Sequence, residues 1–176
     1  MWRLSLREML VLVTLVALAI VSLTYASNFF RGAIGLMALL VYVGSIVAAF
    51  MDHGRRQAFA IGMALVMTIY GLLLVHAGYG QDQNYELVPY AGYLPTSTLL
   101  YGLFDGIVVR TSTVGSDGGT AYVDTPDGHT FLVVGHCWWA LVFGYIGGRF
   151  AQFLYTRRMR ESAGESHKAK PPMVEG

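Results

Sequence analysis

Charge is what this chain has least of. Of 176 residues only 13% are Asp, Glu, Lys or Arg, about half the roughly 25% of an ordinary soluble domain. With 55% apolar residues and a mean hydropathy of +0.50, that scarcity argues against a soluble globular domain. The net charge of +1 leaves no basic field of the kind that binds nucleic acid. Cysteine is nearly missing as well. Cys137 stands alone inside an apolar stretch, which excludes an intramolecular disulfide and any CxxC metal signature. No HExxH pair, Walker loop or GxSxG nucleophile elbow occurs. The apolar runs hold almost no interior charge, so the residues expected of a proton or ion pathway are missing too.

What the chain does have is long apolar runs. They cover residues 9–26, 33–51, 58–77 and 130–155. A helix needs about 20 predominantly apolar residues to cross a hydrocarbon core of roughly 30 Å. Backbone groups in lipid must be satisfied within the segment, so such runs are helical. The last run, TFLVVGHCWWALVFGYIGGRFAQFLY, ends in Thr156-Arg157-Arg158-Met159-Arg160, a basic cluster of the kind that fixes a span at the cytoplasmic face. The first run follows Arg3 and Arg7. A signal peptide would show an apolar stretch of about 7–15 residues and a small-residue cleavage site. This run is longer and Thr24-Tyr25-Ala26 imitates such a site poorly, so an uncleaved first span is the reading taken.

The expectation is an all-α integral membrane protein, a four-helix transmembrane bundle, with residues 1–160 as the membrane domain. Residues 161–176 form a polar, proline-containing tail expected to be disordered and cytoplasmic. Orientation follows from Lys and Arg. With both termini and the Asp52-His53-Gly54-Arg55-Arg56 turn inside, the inner side carries Arg3, Arg7, Arg55, Arg56, Arg157, Arg158, Arg160, Lys168 and Lys170, with Arg149 at the boundary, and the outer side only Arg31 and Arg110.

The outer segment, 78–129, opens rich in Tyr and Gly, with Tyr79, Tyr85, Tyr90 and Tyr93 suited to the headgroup level. Pro95-Thr96-Ser97-Thr98 reads as a helix start. Leu99, Leu100, Leu103, Phe104 and Ile107 follow at helical spacing, predicting a short amphipathic helix on the membrane or over the bundle. Residues 107–114 and 120–125 are β-prone around a glycine-rich turn, and Asp127-Gly128 is a second turn signal. A small hairpin before the last span is the expectation.

Histidine offers the sharpest candidates. His129 and His136 are seven residues apart, on one face of the fourth run, and His76 closes the third. One reading makes His76 and His136 an outer-leaflet haem or metal pair serving electron transfer. The other, preferred, makes His76 and His129 interfacial and leaves His136 hydrogen-bonded to another span. No catalytic, cofactor or metal residue is therefore assigned. Asp52 and His53 beside two arginines read as a solvated turn. Asp82, Glu86, Asp117, Asp124 and Asp127 match no EF-hand spacing.

The fourth run also carries a small-residue stripe, Ala140, Gly144 and Gly148, widened by Gly147 and Ala151. Such stripes let helix backbones approach closely in lipid. Gly44 and Ala48 in the second run offer a matching surface, and self-association through the stripe is the other use. Trp138 and Trp139 point about 100° apart, so at least one packs into the bundle.

Three stretches together resemble small uncharacterised multi-pass membrane proteins of planctomycete-type bacteria. They are Arg3-Leu4-Ser5-Leu6-Arg7 before its apolar run, Leu94-Pro95-Thr96-Ser97 leading into Leu99-Leu100-Tyr101, and Val134-Gly135-His136-Cys137-Trp138-Trp139-Ala140 with Gly147-Gly148-Arg149. The resemblance implies the bacterial inner membrane and brings no activity with it. The expected role is a non-enzymatic scaffold or accessory subunit. The alternatives are the histidine electron-transfer protein and a small transporter subunit.

Overall fold

The computed structural model describes residues 6–78, 94–114 and 120–168. The elements run α1 (Leu6–Thr24), α2 (Asn28–Met51), α3 (Arg55–Gly78), α4 (Pro95–Ile107), β1 (Val109–Val114), β2 (Thr120–Thr125) and α5 (Gly128–Lys168). Helices α2, α3 and α5 are long and apolar enough to cross a membrane, whereas the described apolar part of α1, Val13–Thr24, is shorter. Large apolar side chains point outward along these helices, among them Leu36, Leu40, Phe50, Leu65, Leu72, Ile146 and Phe150. Patches of that kind mark contact with an apolar partner, and here they suit lipid.

The helix boundaries depart from the expected ones for local reasons. The chain between the first two helices is shorter than the 27–32 break, because α2 starts at Asn28. Ser27 caps it, its carbonyl accepting the first helical hydrogen bond from Arg31 N–H at 2.9 Å. The turn between α2 and α3 works because Gly54 takes φ +67°, a left-handed conformation that costs glycine little. Gln57 closes that turn by donating from Nε2 to the Ala49 carbonyl at 3.1 Å. Helix α5 begins at Gly128 and continues to Lys168, past the expected start of the tail. Glu161 is joined to Arg157 at 3.0 Å and Ser162 donates to the Arg158 carbonyl at 3.1 Å, so i,i+4 bonding carries the helix onward. Residues 169–176 lie outside the described residues, as do Tyr79, Tyr85, Tyr90, Tyr93, Asp82, Glu86 and Asp117.

Strands β1 and β2 pair antiparallel, from Val109 opposite Thr125 to Val114 opposite Thr120.

Backbone contacts divide the chain into two compact units, Met1–Leu39 with Gly71–Ala140, and Leu40–Tyr70 with Leu141–Gly176. The first has a core of Ala26, Leu100, Phe131 and Leu132, with Leu23, Tyr101, Phe104 and Trp139 packed on it. The Phe104 and Phe131 rings meet at 5.4 Å. In the second, α3 and α5 touch through glycine. A Cβ built on Gly62 would sit 2.6 Å from the Gly147 carbonyl oxygen and 2.5 Å from Ala151 Cβ. One on Gly144 would meet Met67, and one on Gly148 would meet Phe59. Gly44 on α2 has nothing within 4 Å. The stripe is thus matched by Gly62 of α3 and not by Gly44 of α2.

Candidate functional site

The polar side chains of the first unit are drawn inward. Ser22 and Ser97 are fully buried, and Thr96, Thr130 and His136 nearly so. A buried polar group must find a partner or cost free energy, and each is placed to find one. Ser97 stands in the first turn of α4, just after Pro95, a residue suited to helix starts. Its Oγ shares a 3.2 Å hydrogen bond with Nε2 of His136 on α5. Ser22 on α1 donates to the Ala19 carbonyl at 3.0 Å and accepts from Trp138 Nε1 at 2.9 Å. Leu100 closes over Gly135, where any added Cβ would collide with its methyl groups. Helices α1 and α4 are therefore both pinned to one stretch of α5, residues 131–139.

The apolar residues of α4 divide between its two sides. The apolar stripe does not all turn inward: Leu99, Leu103 and Ile107 are exposed, while Thr96, Ser97 and Leu100 are buried.

A serine and a histidine in contact invite comparison with a nucleophile and its base. Ser97 has no exposed surface and His136 is only 8% exposed, so the pair is closed inside the protein. The nearest carboxylate along α5 is Asp127, nine residues away and roughly 13 Å along the axis. It is engaged elsewhere: Oδ2 accepts from Thr130 Oγ1 at 2.7 Å and from Thr130 N–H at 2.9 Å. That makes Asp127 the N-cap of α5, a role concealed by the turn reading of Asp127-Gly128. The Thr130 hydroxyl, then its backbone N–H, hold the Asp127 carboxyl below its ordinary range.

The other candidates are dispersed. His76 and His129 are exposed, and the hydrogen bond found at His136 runs to Ser97, not to His76. Among the described residues no three His, Cys, Asp or Glu side chains gather where a metal could sit. Cys137 is half-buried with a free thiol. Both tryptophans are used: Trp138 through its indole N–H and Trp139 against the apolar core. Asp52 is half-buried, and His53, Arg55 and Arg56 are exposed. Ser22 was not singled out from the sequence and Ser97 only as part of a helix start, although hydroxyls set among apolar helix residues are the signal that could have found their contacts. No family model matches the chain, and neither a curated protein nor a solved structure is similar to it.

Proposed function

We propose that this chain is a four-span protein of the bacterial cytoplasmic membrane, with both termini inside, acting without catalysis as a scaffold or accessory subunit. Helix α1 has 19 residues and so reaches roughly 28 Å, close to the hydrocarbon thickness of roughly 30 Å. The orientation rests on the concentration of Arg and Lys at one set of helix ends. The role rests on one observation above all. The side chains best equipped for chemistry, Ser97 and His136, are buried against each other and serve to hold α4 on α5. That leaves the exposed Leu99, Leu103 and Ile107 edge of α4 and the outer segment as the surfaces available to a partner.

Two measurements test this. In a Cys137→Ala background, Ser27→Cys should react with an impermeant maleimide in intact cells, and His53→Cys only after lysis. The reverse pattern would overturn the orientation. The chain extracted in mild detergent should migrate as part of a larger assembly and be colourless. A stoichiometric haem or metal that disappears with His136→Ala would replace the scaffold with an electron-transfer protein.

A further inference from the structure

The second unit contains a cavity of about 400 Å³ lined mainly by α2 and α3. Its walls come from two helix faces that meet at the Gly54 turn. Val41 and Ala48 of α2 and Asp52 just past its end line it on one side, and Arg56, Phe59 and Met63 of α3 on the other. Both sets follow helical spacing, seven and four residues apart on α2 and three and four on α3. Along each face the character changes in the same direction: charged next to the turn, apolar beyond it. From Asp52 to Val41 is eleven residues, roughly 16 Å of helix, about half the roughly 30 Å hydrocarbon core. The cavity is thus one leaflet deep, charged at the membrane boundary and apolar below.

The two charges at its mouth have opposite sign and are not spent on one another. Among the described residues no ion pair joins Asp52 to Arg56. Gln152 of α5 adds an amide to the lining. The hydroxyl of Ser45, a further lining residue, is turned to its own helix, donating to the Tyr42 carbonyl at 2.7 Å, which leaves that wall apolar. A guanidinium recognises phosphate through paired N–H donors, and a carboxylate recognises a primary ammonium. An occupant must carry both groups a few bonds apart, with an acyl chain attached.

We propose that this cavity binds a zwitterionic aminophospholipid of the phosphatidylethanolamine class, its phosphate on Arg56, its ammonium on Asp52 and the start of one acyl chain between Ala48, Phe59 and Met63. Free phosphate or a water-soluble headgroup would leave the apolar part of the cavity, between Ala48, Phe59 and Met63, unfilled. A purely anionic lipid would satisfy Arg56 and set its charge against Asp52. The assignment rests on the membrane reading above, of which the maleimide experiment checks the α2 span separately.

The test is lipid retention by the full chain, purified in detergent, delipidated and titrated with phosphatidylethanolamine, phosphatidylcholine or phosphatidylglycerol, with bound lipid counted by native mass spectrometry. Phosphatidylethanolamine should be retained about tenfold more tightly than either of the others, the difference expected for one charge-assisted hydrogen bond. Choline cannot make that bond because its nitrogen carries no proton. Arg56→Gln should weaken retention of all three lipids about tenfold. Asp52→Asn should abolish only the preference for ethanolamine. Arg55→Gln, next in sequence but outside the cavity lining, should change nothing. These substitutions sit at the bundle's polar edge, so they leave the helices folded, and unchanged melting of each variant verifies it. Equal retention of the three lipids, equal loss for Arg55→Gln and Arg56→Gln, or displacement of the lipid by glycerophosphoethanolamine alone would overturn the proposal.

Discussion

The two halves of α5 are held by opposite means. From Gly128 to Ala140 the helix is fastened by polar side chains, with His136 bonded to Ser97 and Trp138 to Ser22. From Leu141 onward it is fastened by the lack of side chains, with Gly144, Gly147 and Gly148 laid against α3. Both solutions answer one problem. Among lipid tails the hydrophobic effect gives helices little reason to associate, so packing and interhelical hydrogen bonds must do so. The glycine contact requires two helices to match over several residues. The polar contact requires one atom on each, which suits short or terminal pieces such as α4 and the end of α1.

The comparison breaks first at Gly62. A side chain there must displace the Gly147 carbonyl, which is backbone and cannot swing away. Gly62→Leu should cost about 3 kcal/mol, the upper part of the overpacking range, read as a fall in the unfolding midpoint in detergent. Gly44→Leu, which meets open space, should stay within about 0.5 kcal/mol of the parent. Equal losses for the two would mean that the stripe is not seated on α3. Self-association through Ala140, Gly144 and Gly148 would compete with this internal contact, so the same pair of variants, followed by oligomer size, separates the two uses.

On the polar side the effects are smaller. His136→Leu should cost about 1 kcal/mol, because interhelical hydrogen bonds in membranes average roughly 0.6 and reach roughly 1.7 kcal/mol, and the buried Ser97 hydroxyl must turn back to its own helix. A double-mutant cycle with Ser97→Ala should recover most of that cost as coupling energy. No coupling would make the 3.2 Å contact energetically idle. Trp138→Phe keeps a ring in place and removes only the donor to Ser22, so about 0.6 kcal/mol is expected by the same unfolding measurement.

How much of this could be read in advance follows from what each contact depends on. The long helices were legible because twenty consecutive apolar residues leave few other structures. Expected runs 33–51 and 58–77 became α2 (Asn28–Met51) and α3 (Arg55–Gly78). The glycine stripe was legible as a contact surface, but its partner was not. Spacing shows that Gly144 and Gly148 share a face, and nothing local distinguishes Gly62 from Gly44. The short amphipathic α4 was legible from its spacing, but the burial of Thr96 and Ser97 beside Leu100 was not, because spacing shows which residues share a face and not which neighbour that face meets. His136 was legible as a hydrogen-bonded histidine, and Ser97 of α4 is a partner that spacing did not point to. The paired charges at the Gly54 turn read as solvated, and only the cavity beneath them gives them a further use.

The weakest expected effect lies where α5 begins, and it has a sign that can be checked. Asp127 caps the helix by accepting from the Thr130 hydroxyl and N–H, and those bonds hold its carboxyl below its ordinary range. A group whose pKa is lower when folded contributes stability above its unfolded value, near 3.9. That contribution fades as pH falls and is gone below the folded value. Asp127→Ala should therefore cost about 0.5 kcal/mol near neutrality, the low end for an exposed cap, and should flatten the acid limb of the stability curve. Asp127→Asn retains a carbonyl acceptor for the Thr130 N–H and has no proton to gain. It should keep most of the neutral stability while losing the acid slope, so the two variants separate capping from charge. Amide exchange at His129, Thr130 and Phe131 reads the effect where it is made. If all three amides exchange alike in both variants at neutral pH, Asp127 is not what starts α5, and the polar fastening of this half rests on Ser22, Ser97, His136 and Trp138 alone.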